Sequence, residues 1–129
     1  MKKIRFGVVG TNNITDWVIA GARQDERFEL AAVCSRTQER ADEFAAKHSI
    51  PHTFTSLEEM AKSPLIDAVY IATPHNLHYQ QAKYALEHGR HVLCETPMVL
   101  REAEAEELFE LTKERGLMLM EANKTAYSP

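Results

Sequence analysis

The sequence predicts an α/β domain, a doubly wound parallel sheet of six strands in the order 3-2-1-4-5-6, and three observations carry that expectation. Apolar runs of strand length alternate with segments of helical period from one end of the chain to the other, with no repeat and no linker. The opening run, Ile4-Arg5-Phe6-Gly7-Val8-Val9, leads into a glycine turn and then a helical pattern. The run Ala68-Val69-Tyr70-Ile71-Ala72 is apolar throughout, which suits a strand covered on both faces of a parallel sheet.

Each element has its own signal. A first strand, Ile4 to Val9, precedes a helix from about Asn13 to Gln24 with Ile14, Trp17, Val18, Gly21 and Ala22 on one face. The second strand is Phe28 to Cys34. Thr37 then caps a helix through Lys47 that buries Ala41, Phe44 and Ala45. Pro51 breaks the chain before a short strand, His52 to Phe54. In Ser56-Leu57-Glu58-Glu59, Ser56 and Glu59 form a capping box for a short helix to Lys62, stopped by Pro64. After the fourth strand, Ala68 to Ala72, the turn Pro74 to Asn76 opens a helix from Leu77 to His88, with Asn76 as its cap and Gly89 as its left-handed end. His91 to Cys94 is the fifth strand. Arg101 to Arg115 is a helix closed by Gly116, and Leu117 to Met120 is the sixth strand, its Met118 and Met120 assigned to the core.

Bulk properties exclude several function classes. The 129 residues are one domain's worth, with 44% hydrophobic and 26% charged residues, as in a soluble globular protein. A net charge of −4 with scattered basic residues argues against a nucleic-acid partner. Neither a signal peptide nor a run of membrane-spanning length is present. Cys34 and Cys94 lack C-x-x-C spacing, and in the predicted order three interstrand steps, about 14 Å, separate their strands. That is beyond disulfide reach, so a reduced, cytoplasmic protein is the simplest reading.

In a sheet of this order, ligands bind outside the carboxyl ends of the strands, between the first and the fourth. The strand-turn-helix at Gly10, Thr11, Asn12, Asn13 and Ile14 offers unpaired amides and a helix dipole to a pyrophosphate. Against G-x-G-x-x-G it keeps only the first glycine, with Asn12 and Thr15 in place of the others. Ser35-Arg36 follows the second strand, where an acid would grip the ribose hydroxyls of NAD. No acid is there, and an arginine suits the 2′-phosphate of NADP, which favours NADP over NAD; the plain alternative is an arginine paired with a neighbouring carboxylate. Ala72, Thr73, Pro74, Asn76 and His78 line the next stretch of the crevice, with Thr73 and His78 as polar contacts. Two histidines, His75 and His78, without a third ligand do not make a metal site. Glu95 and Pro97 close the fifth strand. The run Glu102, Glu104, Glu106, Glu107 and Glu110 lines the wet side of a helix whose inner side is Ala105, Leu108, Leu111 and Thr112, so no paired-carboxylate catalysis is indicated.

Taken together, Gly7-Val8-Val9-Gly10-Thr11, Cys34-Ser35-Arg36-Thr37, Asp67 to Pro74, Leu77-His78-Tyr79 and Gly89-Arg90-His91-Val92-Leu93-Cys94-Glu95-Thr96-Pro97 closely resemble the Gfo/Idh/MocA oxidoreductases. The resemblance continues through Ala103-Glu104-Ala105-Glu106-Glu107-Leu108 to Met120-Glu121-Ala122. It implies an NAD(P)-binding Rossmann domain over residues 1–122, with residues 123–129 starting the crossover to a substrate domain. It also implies hydride transfer to or from a sugar, polyol or related small molecule, and assembly into a homo-oligomer through that further domain. Two departures stand out. Thr96 occupies the place of the family's catalytic lysine and cannot carry its charge. The chain also stops at Tyr127-Ser128-Pro129, where the crossover is implied, which reads as truncation of an enzyme. Thr96 equally allows a non-catalytic NAD(P)H-binding or sensing module. A methyl-donor-binding domain fits worse, because the second strand lacks a terminal acid.

Overall fold

Six parallel strands and four helices alternate through the part of the chain described by this computed structural model, residues 3–10, 26–73, 75–95 and 101–122; at 75, 76, 95, 121 and 122 only the backbone is described. The strands are β1 (Ile4–Val9), β2 (Phe28–Cys34), β3 (His52–Phe54), β4 (Ala68–Ile71), β5 (His91–Glu95) and β6 (Leu119–Ala122). The helices are α1 (Gln38–His48), α2 (Leu57–Lys62), α3 (His75–Glu87) and α4 (Glu102–Arg115). The sheet order is β3-β2-β1-β4-β5-β6, as the alternating pattern predicts. The helix expected over Asn13 to Gln24 lies outside the described residues.

Period-two alternation sorts the strand side chains between two cores. Val9, Ala32, Cys34, Val69, Ile71, Val92 and Cys94 pack with Leu57 and Met60 of α2, Ala82, Ala85 and Leu86 of α3, and Leu108 of α4. Val8, Val33, Tyr70 and Ala72 pack with Phe44 and Ala45 of α1 and with Ile50. Each fully buried valine, leucine or isoleucine contributes about 1.5–3 kcal/mol, so β1 and β4, apolar at their centres, anchor both layers. Cys34 and Cys94 are buried thiols, not joined in a disulfide, on strands separated by β1 and β4.

Capping follows the sequence closely. The Thr37 hydroxyl accepts the amide of Arg40, and the Ser56 hydroxyl accepts that of Glu59. The carboxylate that Ser56 engages is Glu58, at 2.9 Å, which corrects the reciprocal pairing with Glu59. Gly89 and Gly116 turn with φ of 80° and 64°. Helix α3 begins at His75, two residues before the first apolar residue of its periodic pattern. Asn76 therefore sits inside the first turn and is not the cap.

The sixth strand is also corrected. Leu117 donates its amide to the Thr112 carbonyl at 2.9 Å, closing the end of α4, and the Met118 amide donates to His91 Nδ1 at 3.1 Å. Ladder register thus begins at Leu119, opposite Val92. Leu117 and Leu119 pack against the core, while Met118 and Met120 are 57% and 52% exposed. The alternation has the opposite phase to the one expected, because β6 is an edge strand and only its leucine face meets the core.

Candidate functional site

Four strand ends, those of β3, β2, β1 and β4, are tied together at the crevice by three backbone hydrogen bonds. The Gly10 amide donates to the Cys34 carbonyl at 3.2 Å, the Ala72 amide to the Val9 carbonyl at 2.8 Å, and the Ser35 amide to the Phe54 carbonyl at 3.1 Å. Gly10 has φ of 103°, and a Cβ placed on it would lie 2.5 Å from the Ala72 carbonyl oxygen. Only glycine meets both conditions, a backbone conformation that side chains rarely adopt and a carbonyl standing where a Cβ would have to be. Gly10 and Ala72 thereby floor the crevice at the switch between β1 and β4. Thr11, Asn12, Asn13 and Ile14 lie outside the described residues.

One strand over, Ser35 is buried and Arg36 is exposed. Thr37, the next residue, is committed to capping α1. Arg36 has no hydrogen-bond or ion-pair partner among the described residues, so the neighbouring-carboxylate alternative finds no support there. Its guanidinium offers a fork of donors suited to an anion. The adjacent Cys34 thiol is pushed up to about 11, chiefly by burial and then by the charge of Glu58. A thiol so held keeps its proton at neutral pH and is no nucleophile.

On the other side, the β4–α3 turn is braced from within the helix. His78 is fully buried, and its Nε2 lies 2.6 Å from the Thr73 carbonyl oxygen. A carbonyl only accepts, so Nε2 carries the hydrogen and donates. The Thr73 hydroxyl donates to Oε1 of Gln81. His78 and Gln81, three residues apart, share a helix face, and helical side chains lean toward the amino terminus, which brings both back onto Thr73. Sequence reasoning missed Gln81; its spacing from His78 was the available signal. Glu95 ends β5 opposite Ala122, so its backbone stands on the same rim. Pro74, Thr96 and Pro97 lie outside the described residues.

Other charged groups are engaged elsewhere. Tyr79 donates to Glu107 at 2.6 Å and Lys83 pairs with the same oxygen at 2.9 Å, joining α3 to α4 on an exposed surface. The Tyr79 and Lys83 hydrogen bonds hold the Glu107 carboxyl below its ordinary value. Among the described residues no group of three His, Cys, Asp or Glu could hold a metal ion, and no helix is long and apolar enough to cross a membrane.

Comparison with known proteins agrees with this geometry. Residues 4–123 match a family model described as an oxidoreductase family with an NAD-binding Rossmann fold. The chain is 51% identical over 126 residues to scyllo-inositol 2-dehydrogenase (NADP(+)) IolU of Bacillus subtilis, covering 98% of this chain and 38% of that protein. It is 38% identical over 128 residues to trans-1,2-dihydrobenzene-1,2-diol dehydrogenase of Macaca fuscata fuscata, with the same coverage. Among solved structures, a 3-ketoreductase from Actinomadura kijaniata in complex with NADP and TDP-benzene superposes with a TM-score of 0.86 at 33% identity, over 93% of this chain and 37% of that one. The chain thus spans under two fifths of the length of these relatives.

Proposed function

This chain belongs to the Gfo/Idh/MocA oxidoreductase family, with its NAD(P)-binding Rossmann domain, and from that premise we propose that it holds NADP in preference to NAD. The observation that carries the reading is Arg36, exposed just past β2 and without a partner among the described residues, where no carboxylate follows the strand. A ribose-gripping acid would repel the extra phosphate, whereas a guanidinium pairs with it. The fit of the rest is consistent. Gly10 leaves the crevice floor bare, Thr11 to Ile14 offer main-chain amides to the pyrophosphate, and Ser35 stands beside Arg36 on the adenosine side. In this reading Ala72, Thr73, Pro74, Asn76, His78, Glu95 and Pro97 belong to the nicotinamide side. The name of the Bacillus subtilis relative and the NADP in the ketoreductase structure support the same choice.

The test is a fluorescence titration with NADPH and NADH. Arg36→Ala should weaken NADPH by about tenfold or more, the worth of one charged hydrogen bond, and leave NADH unchanged. Equal affinities for the two cofactors, indifferent to that substitution, would remove the preference.

The whole protein, in this reading, transfers a hydride between the bound nicotinamide and a sugar, polyol or related carbonyl compound, the class that the relatives' names describe. Thr96, at the place of the family's lysine, donates a hydrogen bond but carries no positive charge to stabilise a developing alkoxide. That residue favours a second reading, a module that binds NAD(P)H without turnover. Thr96→Lys in the protein carrying its substrate domain separates them: a large gain in turnover on a polyol panel supports the enzyme, and none supports the module.

A further inference from the structure

We propose that His78 and Gln81 are positioning residues for the nicotinamide half of the cofactor, acting through Thr73 and not by touching the ligand; the inference rests on the dinucleotide reading above. Thr73 is the first residue past Ala72, whose carbonyl is seated against Gly10. Its position relative to the crevice floor is therefore fixed at one end by the sheet. At the other end it is fixed by α3, from which His78 Nε2 donates to its carbonyl at 2.6 Å and Gln81 accepts its hydroxyl. The carbonyl and the hydroxyl of Thr73 are thus both held from α3, by a fully buried imidazole and a half-buried amide. A bound nicotinamide meets a turn already in place, and little ordering is left for the moment of binding. The bracing is on one side of the crevice: Ser35 and Arg36 lie beyond β1, at the end of β2.

The placement predicts a split response. The ligands are NADPH and 2′,5′-ADP, a fragment carrying only the adenosine-side phosphates. In the chain as it stands, His78→Leu should weaken NADPH by about tenfold, the scale of losing one buried donor to a carbonyl, while the dissociation constant of 2′,5′-ADP stays within about twofold. His78→Gln, whose amide can donate from the position of Nε2, should recover most of the NADPH affinity. Gln81→Leu, which leaves the imidazole in place, should give the same selective loss in smaller measure and covers the case in which His78→Leu fails to fold. Equal losses for both ligands, or none for either, in the folded variants would overturn the inference. A failure of the unaltered chain to bind 2′,5′-ADP would instead overturn the dinucleotide reading, and this inference with it.

Discussion

Strands β1 and β4 meet at both ends, and the two meetings are built differently. At the amino ends, Arg5 and Asp67 engage each other fully: Nε and Nη2 of Arg5 donate to the carboxylate at 3.1 and 2.9 Å, the Arg5 amide donates to it at 2.9 Å, and the Asp67 amide returns to the Arg5 carbonyl at 2.7 Å. At the carboxyl ends, a glycine without a side chain faces the Ala72 carbonyl, which occupies the space a Cβ would need. Past the neighbouring strand, Arg36 stays exposed without a partner among the described residues. One end uses its charges to hold the sheet; the other clears side chains away and keeps a cation in reserve. An arginine alone does not mark a site, since both ends have one. What separates them is whether a counter-charge stands against the arginine among the described residues.

The strongest test of that contrast is Gly10→Ala. It sets a Cβ against a carbonyl at a backbone conformation alanine rarely adopts, so it should cost about 2–4 kcal/mol in urea denaturation and remove NADPH binding as well. Retained stability would mean that the floor is not rigid. Asp67→Ala should act in the complementary way. Thermal unfolding should show a midpoint lowered by less than in Gly10→Ala, with NADPH affinity unchanged, because the lost bonds lie at the far end of the strands. A weakened affinity in that variant would break the separation of the two ends.

The third and smallest effect concerns pH. The Cys34 thiol, at the rim, is raised from 9.0 to about 11 by burial and Glu58. Between those values the folded chain keeps a proton that the unfolded chain releases. Its contribution to stability is therefore complete below pH 9.0 and is lost as pH climbs toward about 11. Denaturation midpoints across that window should fall in the native sequence more steeply than in Cys34→Ala. In parallel, a thiol reagent should react with the folded chain only slowly at neutral pH.

Much of this architecture can be read along the chain, for local reasons. The bounds of β1 and β2 follow from apolar runs ended by Gly10 and by Ser35-Arg36, the start of β3 follows from Pro51, and Thr37, Ser56, Gly89 and Gly116 announce the helix ends they make. Where the reading slipped, a distant partner decides. The start of β6 depends on Thr112 and His91 taking the amides of Leu117 and Met118, and neither is visible in the local pattern. Only one face of this edge strand meets the core, so burial followed Leu117 and Leu119 and left the methionines outside. At the site, Gly10 was legible from its motif, whereas the pressure of the Ala72 carbonyl on it requires two strands 62 residues apart to be brought together. His78 was legible as chemistry but not as a brace, because its bond to the Thr73 carbonyl needs the ring to lean back past the first turn of α3 onto the end of β4.

The margin of the sheet at β3 has a bearing on how the chain behaves when crowded. That strand is three residues long, and Pro51, which has no amide hydrogen to offer, stands directly before it. An incoming extended segment would find only a brief ladder to add itself to, far short of what a growing fibril uses as a template. Brevity and one imino acid thus limit strand addition at this border.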